Sequence, residues 1–139
     1  MQTPILAPAA TPPVDRRRAV LAAVFDVDAI LLFVLIGRRS HDEGGNFLVE
    51  TGKVAASFLI ALAVGWVVAQ GWRAPRSART GLIVWVTTVA GGMALRPAFG
   101  RDVPVSFVIV TALFTGLFLM GWRAVARRLD AQRASRLAR

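Results

Sequence analysis

The chain has no cysteine and no tyrosine, and a single histidine, His41. Without thiols there can be no disulfide, thiolate nucleophile, zinc knuckle or iron–sulfur ligand. One imidazole leaves little for a histidine-based metal or haem centre. Charge is also scarce: Asp, Glu, Lys and Arg make up 18% of 139 residues against 55% apolar ones, and they gather in short stretches between long apolar runs. Acids are the rarer sign, 8 against 17 basic residues, giving a formal net charge of +9. In a water-soluble chain that excess would point to nucleic acid. Its confinement between apolar runs, with a mean hydropathy of +0.57, points to the membrane instead, and no nucleic-acid partner is expected.

A bilayer core about 30 Å thick asks for roughly 17–25 mostly apolar helical residues per crossing. Four stretches compete for that description: 19–36, 54–70, 81–95 and 103–122. The third is short, reaching only about 22 Å at helical rise, and would need local thinning and snorkelling by Arg79 and Arg96. Helices of a soluble bundle would carry a polar face, which none of these has. The expected fold is therefore all-α, a polytopic membrane protein with four transmembrane helices. Residues 1–18 read as a disordered basic lead-in, 19–122 as the membrane domain and 123–139 as a basic juxtamembrane tail lying on anionic lipid headgroups. Arg16–Arg18 before an apolar run imitates a signal peptide. Asp26 and Asp28 interrupt that run, however, and no small-x-small site follows before Gly37, so the segment reads as an uncleaved first span.

Lys and Arg set the orientation. Twelve of them lie in the N-terminal segment, the 73–79 loop and the tail, and five in the other two loops. By the positive-inside rule both termini face the cytoplasm. Trp72 with Arg73, and Trp122 with Arg123, are placed to anchor helix ends at headgroup level. Pro75 and Pro97 follow the second and third spans as stops.

Small residues four apart, Ala61/Gly65, Thr88/Gly92 and Ala112/Gly116, allow close helix approach in lipid, for packing within the chain or for a dimer face. A second pattern is Ser57-Phe58 with Gly71-Trp72-Arg73-Ala74, matched by Ser106-Phe107 with Gly121-Trp122-Arg123-Ala124. It reads either as a duplicated helical hairpin of the parallel-repeat kind or as the coincidence that a small residue alphabet produces.

The most expensive residues are Asp26 and Asp28, since a carboxylate near mid-span costs about 2.5–3.5 kcal/mol on insertion scales. They differ by about 200° around a helix, so one face cannot present both. Asp28 is the deeper, and a polar layer joining it to Thr87, Thr88 and Thr115 would suit a proton or cation; the alternative is a hydrogen-bonded structural Asp. Beyond the first span, Arg38 and His41, with Arg96 beyond the third, form a second candidate group. Arg offers a planar fork for carboxylate or phosphate and His carries protons near neutrality. The plain reading is a solvated loop.

The order Asp28, Phe33, Gly37, His41, then Arg96, Phe107 and the closing Gly121-Trp122-Arg123 resembles a family of small prokaryotic membrane proteins catalogued as domain of unknown function 3054. The resemblance covers about Val24 to Arg123. It implies a four-span membrane protein and carries over no activity, cofactor or catalytic residue. One lysine against sixteen arginines fits a GC-rich prokaryotic genome and hence the cell membrane. Two functions follow. One is a proton- or ion-coupled transporter or permeation protein, working as a homo-oligomer, with Asp28 as coupling carboxylate and Arg38, His41 and Arg96 at the entrance. The other is a non-catalytic accessory subunit of a membrane complex. An enzyme is not expected, for want of a nucleophile–base pair, a phosphate-cradling Gly loop or a metal cluster, and neither is a cofactor.

Overall fold

The computed structural model describes residues 14–40 and 46–138; His41 and the greater part of the N-terminal lead-in lie outside them. Among the described residues every regular element is helical: α1 (Arg16–Ser40), α2 (Phe47–Ala69), α3 (Ala78–Leu95) with a 3₁₀ turn (Arg96–Phe99), and α4 (Val105–Leu137). All four helices are long and apolar enough to cross a membrane.

The helices run past the expected spans: α1 continues to Ser40 and α2 starts at Phe47, ahead of the expected 54, and three further differences have a local reason. Arg16–Arg18 form the first turn of α1 rather than a disordered lead-in. Asp15 starts that turn, accepting the Arg18 N–H at 3.1 Å and meeting its guanidinium at 2.9 Å, as a cap next to a helix N-terminus should. The short third span gains a turn at its start and the 3₁₀ turn at its end, so Ala78–Phe99 makes 22 residues. The basic tail is no separate helix: α4 runs unbroken for 33 residues, since Arg, Ala, Gln and Leu after Trp122 are all good helix formers.

Caps and turns fix the remaining ends. Asn46 accepts the N–H groups of Leu48 and Val49 to start α2, and Ser77 accepts that of Thr80 to start α3. α2 stops at Gln70, which takes a left-handed φ of 49° well before Pro75. Gly71 follows because a Cβ there would meet the Trp66 ring at 2.5 Å. Pro97 lies inside the 3₁₀ turn, closed by Gly100 at φ 68°.

The helices alternate in direction and pack as a ring, each against its sequence neighbours and α4 back against α1. One end of the bundle holds the start of α1, the α2–α3 turn and the basic half of α4; call it the terminal end. The other, the loop end, holds the end of α1 and the 3₁₀ turn. The small residues serve packing within the chain. A Cβ on Gly65 would approach the Val84 backbone at 3.1 Å, one on Gly91 the Ala61 Cβ at 2.9 Å, and one on Gly92 would run into the Phe58 ring. Gly116 makes room for Trp85, whose indole donates to the Ala112 carbonyl at 3.0 Å. Between the layers lies an aromatic knot of Phe33, Phe58, Phe107 and Phe114, continuous with buried Ile30, Val34, Leu62, Val84 and Leu119. The outward faces are as apolar as the core: Val67, Leu113 and Leu117 are 65–70% exposed. Lipid, not water, suits such a surface.

Candidate functional site

Two constellations stand out, one at each end. At the terminal end the face of α1 turned into the bundle carries Ala22, Asp26, Ala29, Ile30 and Phe33, so Asp26 is carried inside and is fully buried. Its carboxylate receives four N–H donors. Oδ1 accepts Trp122 Nε1 at 2.8 Å and Arg123 Nη1 at 2.8 Å; Oδ2 accepts Trp66 Nε1 at 2.9 Å and Arg123 Nη2 at 2.7 Å. Arg123, also fully buried, donates further to the Leu119 carbonyl at 2.7 Å and through Nε to the Pro75 carbonyl at 3.0 Å. Its guanidinium lies 4.5 Å from the Trp122 ring centroid. Gly81 opens its path, since a Cβ there would sit 2.8 Å from Arg123 Cδ. One bidentate fork thus ties α1, α4 and the α2–α3 turn together, with α2 joined through Trp66.

The chemistry of this clamp is structural. A carboxylate offers about four acceptor sites, and all four are filled by aligned donors, which leaves Asp26 no open site for a travelling proton or cation. The anchoring role expected of Arg123 at the headgroups is corrected accordingly: a buried acid on α1 draws it inward. Trp122 follows, half-buried against the stacked ring of Phe25. Trp72 and Arg73 are exposed. The two Gly-Trp-Arg segments thus occupy unlike places, one in a turn after α2, the other inside α4.

Asp28 lies on the opposite face of α1 and is exposed. The expected polar layer around it does not form: Thr88 and Thr115 are fully buried in the α3–α4 region, and Thr115 instead donates to the Thr111 carbonyl at 2.6 Å.

At the loop end a cavity of about 440 Å³ is lined by Phe33, Val34, Val54, Phe107 and Val110, with Arg38, Arg96 and Arg101 around it. The structure therefore brings Arg38 and Arg96 together, as the sequence grouping expected, and adds Arg101. Arg96 does not snorkel. It is 8% exposed, stacks 3.9 Å from the Phe107 ring centroid and donates through Nε to the Asp102 carbonyl at 2.9 Å. Arg38, 9% exposed, lies 5.6 Å from the Phe47 centroid, and Arg101 pairs with Glu50. Pro104, Ser106 and Val110 of the lining are exposed, so the cavity reaches the surface beside the start of α4. Among the described residues no trio of His, Asp or Glu side chains gathers to hold a metal.

Beyond the apolar part of α4, Arg76 in the α2–α3 turn holds Asp130 with two hydrogen bonds of 2.7 and 2.9 Å. That guanidinium keeps the Asp130 carboxyl below its ordinary value near 3.8. A lowered folded-state pKa gives docking that is complete above the ordinary value and is lost as pH falls through the lowered one. A spin label at Ser135→Cys is expected to keep one mobility from neutral pH down to about 4 and to loosen below it. Arg76→Leu should remove the step.

Comparison with known proteins adds one match: a model of the family described as "Protein of unknown function (DUF3054)" matches residues 23–126. That stretch contains both the clamp and every residue of the cavity lining. No curated protein and no solved structure matches the chain.

Proposed function

The chain belongs to the DUF3054 family, whose description assigns no activity, and we propose that it is a non-catalytic multi-pass membrane protein that binds an anionic amphiphile in the loop-end cavity. The observation that carries this reading is the cavity's make-up: an apolar interior of phenyl and valyl side chains with three arginines around it. Guanidinium forks match carboxylate and phosphate oxygens, and the apolar interior suits an acyl or alkyl segment. An opening beside the start of α4, where exposed Val110 meets the lipid-facing side of that helix, suits a ligand arriving through the bilayer. Charge distribution sets the sidedness of the proposal: the arginine-rich terminal end, with both termini, faces the cytoplasm of a prokaryotic cell membrane and the cavity faces out. The exposed arginines 127, 128, 133 and 136 on α4 would then lie by anionic headgroups. Coupled transport rested on Asp28, which lies away from the cavity, so ligand binding is the better supported reading.

Titration calorimetry on the protein in zwitterionic nanodiscs tests it. Dodecyl phosphate is expected to bind, inorganic phosphate to bind far more weakly, and Arg96→Ala to weaken dodecyl phosphate by at least about tenfold, the loss of one charge-assisted hydrogen bond. Dodecyltrimethylammonium binding as tightly as the phosphate would overturn the proposal.

A further inference from the structure

α1 turns one apolar face into the bundle and leaves another outside it. Written as a heptad with Leu21 at a, the b, c and f positions include the buried residues Ala22, Asp26, Ala29, Ile30 and Phe33. The a and d positions are Leu21, Val24, Asp28, Leu31 and Leu35, and all five are exposed, the four apolar ones at 37–49%. This alternating spacing of three and four is the seam of a left-handed helix pair. Asp28 is the middle residue of α1 and hence the deepest point of the span. Among the described residues it has no hydrogen-bond or ion-pair partner within the chain. Ionisable groups within a membrane span almost always face a protein interior or a water-filled cavity, because hydrocarbon cannot solvate them.

We infer that α1 pairs with α1 of a second copy along this seam, with the two Asp28 side chains facing each other at its centre. A second copy is the occupant that the residues themselves specify. Chains inserted in the same sense are related by a two-fold axis along the membrane normal, so each residue meets its own counterpart at one depth. A seam of a/d spacing is complementary to itself. Asp28 facing its own counterpart takes the part that a lone polar a-position residue plays in fixing register and two-strandedness. Lipid headgroups do not reach that depth. Arg17, next along the seam, ends it at headgroup level, and Arg38 at the far end turns into the bundle, leaving a contact about 21 Å long. The proposal is independent of the cavity's ligand.

The absence of native cysteine makes the test direct. Single variants Leu21→Cys, Val24→Cys, Leu31→Cys and Leu35→Cys, in vesicles at low protein-to-lipid ratio, are expected to form disulfide dimers on oxidation. Val67→Cys on α2 and Leu113→Cys on α4, which are more exposed, should stay monomeric. Energy transfer between labelled copies should show Asp28→Leu weakening association about tenfold, since hydrocarbon no longer rejects the monomer and the interhelical bond is gone. Asp28→Asn, with a donor and an acceptor, should stay within about threefold of the parent. Monomers at every ratio would overturn the inference, and would be the result if a different protein covered the seam. So would cross-linking equally strong at Val67 and Leu113, or association indifferent to Asp28→Leu.

Discussion

Arg123→Leu is expected to lose about 3–5 kcal/mol of stability, because it leaves the Asp26 carboxylate buried without its counter-charge. Nothing nearby can replace the fork: Trp66 and Trp122 already donate to the same two oxygens, and indoles carry no charge. The loss spreads beyond α1 and α4, since the Pro75 carbonyl in the α2–α3 turn loses its Arg123 donor too. Both indoles touch the site, so tryptophan emission during unfolding in mild detergent reports on it. Asp26→Leu combined with Arg123→Leu is expected to recover part of the loss. An apolar pair avoids burying charge altogether, while the indole N–H groups of Trp66 and Trp122, left without their carboxylate, keep the recovery incomplete. A double-mutant cycle should therefore give a coupling energy of about 2 kcal/mol or more. Additive single losses would mean that the pair acts as two separate contacts.

The helices are legible because crossing hydrocarbon demands long apolar runs, and the sequence contains four of them. What the runs do not encode is which side of each helix faces inward. In water a polar stripe marks the outside; in lipid the core and the surface are equally apolar, so Leu31 and Ile30 look alike although one is exposed and the other fully buried. For that reason the sequence does not tell that Asp26 turns inward and Asp28 outward. Depth favours Asp28, but rotation decides, and the face turned inward is the one on which buried Ala22 and Ala29 flank Asp26. Arg123 is hard to place for the same reason: an Arg beside Trp at the end of an apolar run looks like an interface anchor until its partner is found. One signal was available. Asp26 on α1 and Arg123 on α4 sit toward the same end of the bundle, and an acid inside a span needs a cation at its own depth. That Arg38 and Arg96 line one cavity is legible in the sequence, because both end a span at one side and topology alone brings them together. Phe107 stacking on Arg96 depends on the register between α4 and the 3₁₀ turn, which no spacing reveals.

Gly65→Leu is expected to lose about 3 kcal/mol, toward the upper end for overpacking, with loss of the α2–α3 contact as its physical cause. The neighbour decides the size. At Gly65 the obstacle to a side chain is the Val84 backbone, with its Cα 3.1 Å and its carbonyl oxygen 3.3 Å from where a Cβ would stand. Backbone within a helix cannot rotate away as a side chain can, so α3 as a whole must retreat, opening the seam at Gly91 against Ala61 and at Gly92 against Phe58. In lipid that seam has no hydrophobic drive to hold it; close van der Waals contact is what keeps the helices together. Gly121→Ala provides the contrast. It lies inside α4 with nothing within 4 Å of a built Cβ, so the methyl meets no obstacle and the helix gains about 0.5–1 kcal/mol from the lower backbone entropy of alanine. Thermal unfolding of the two variants should move in opposite directions. Equal losses at both glycines would mean that glycine matters here as a flexible joint, and that close approach of α2 to α3 is not what sets stability.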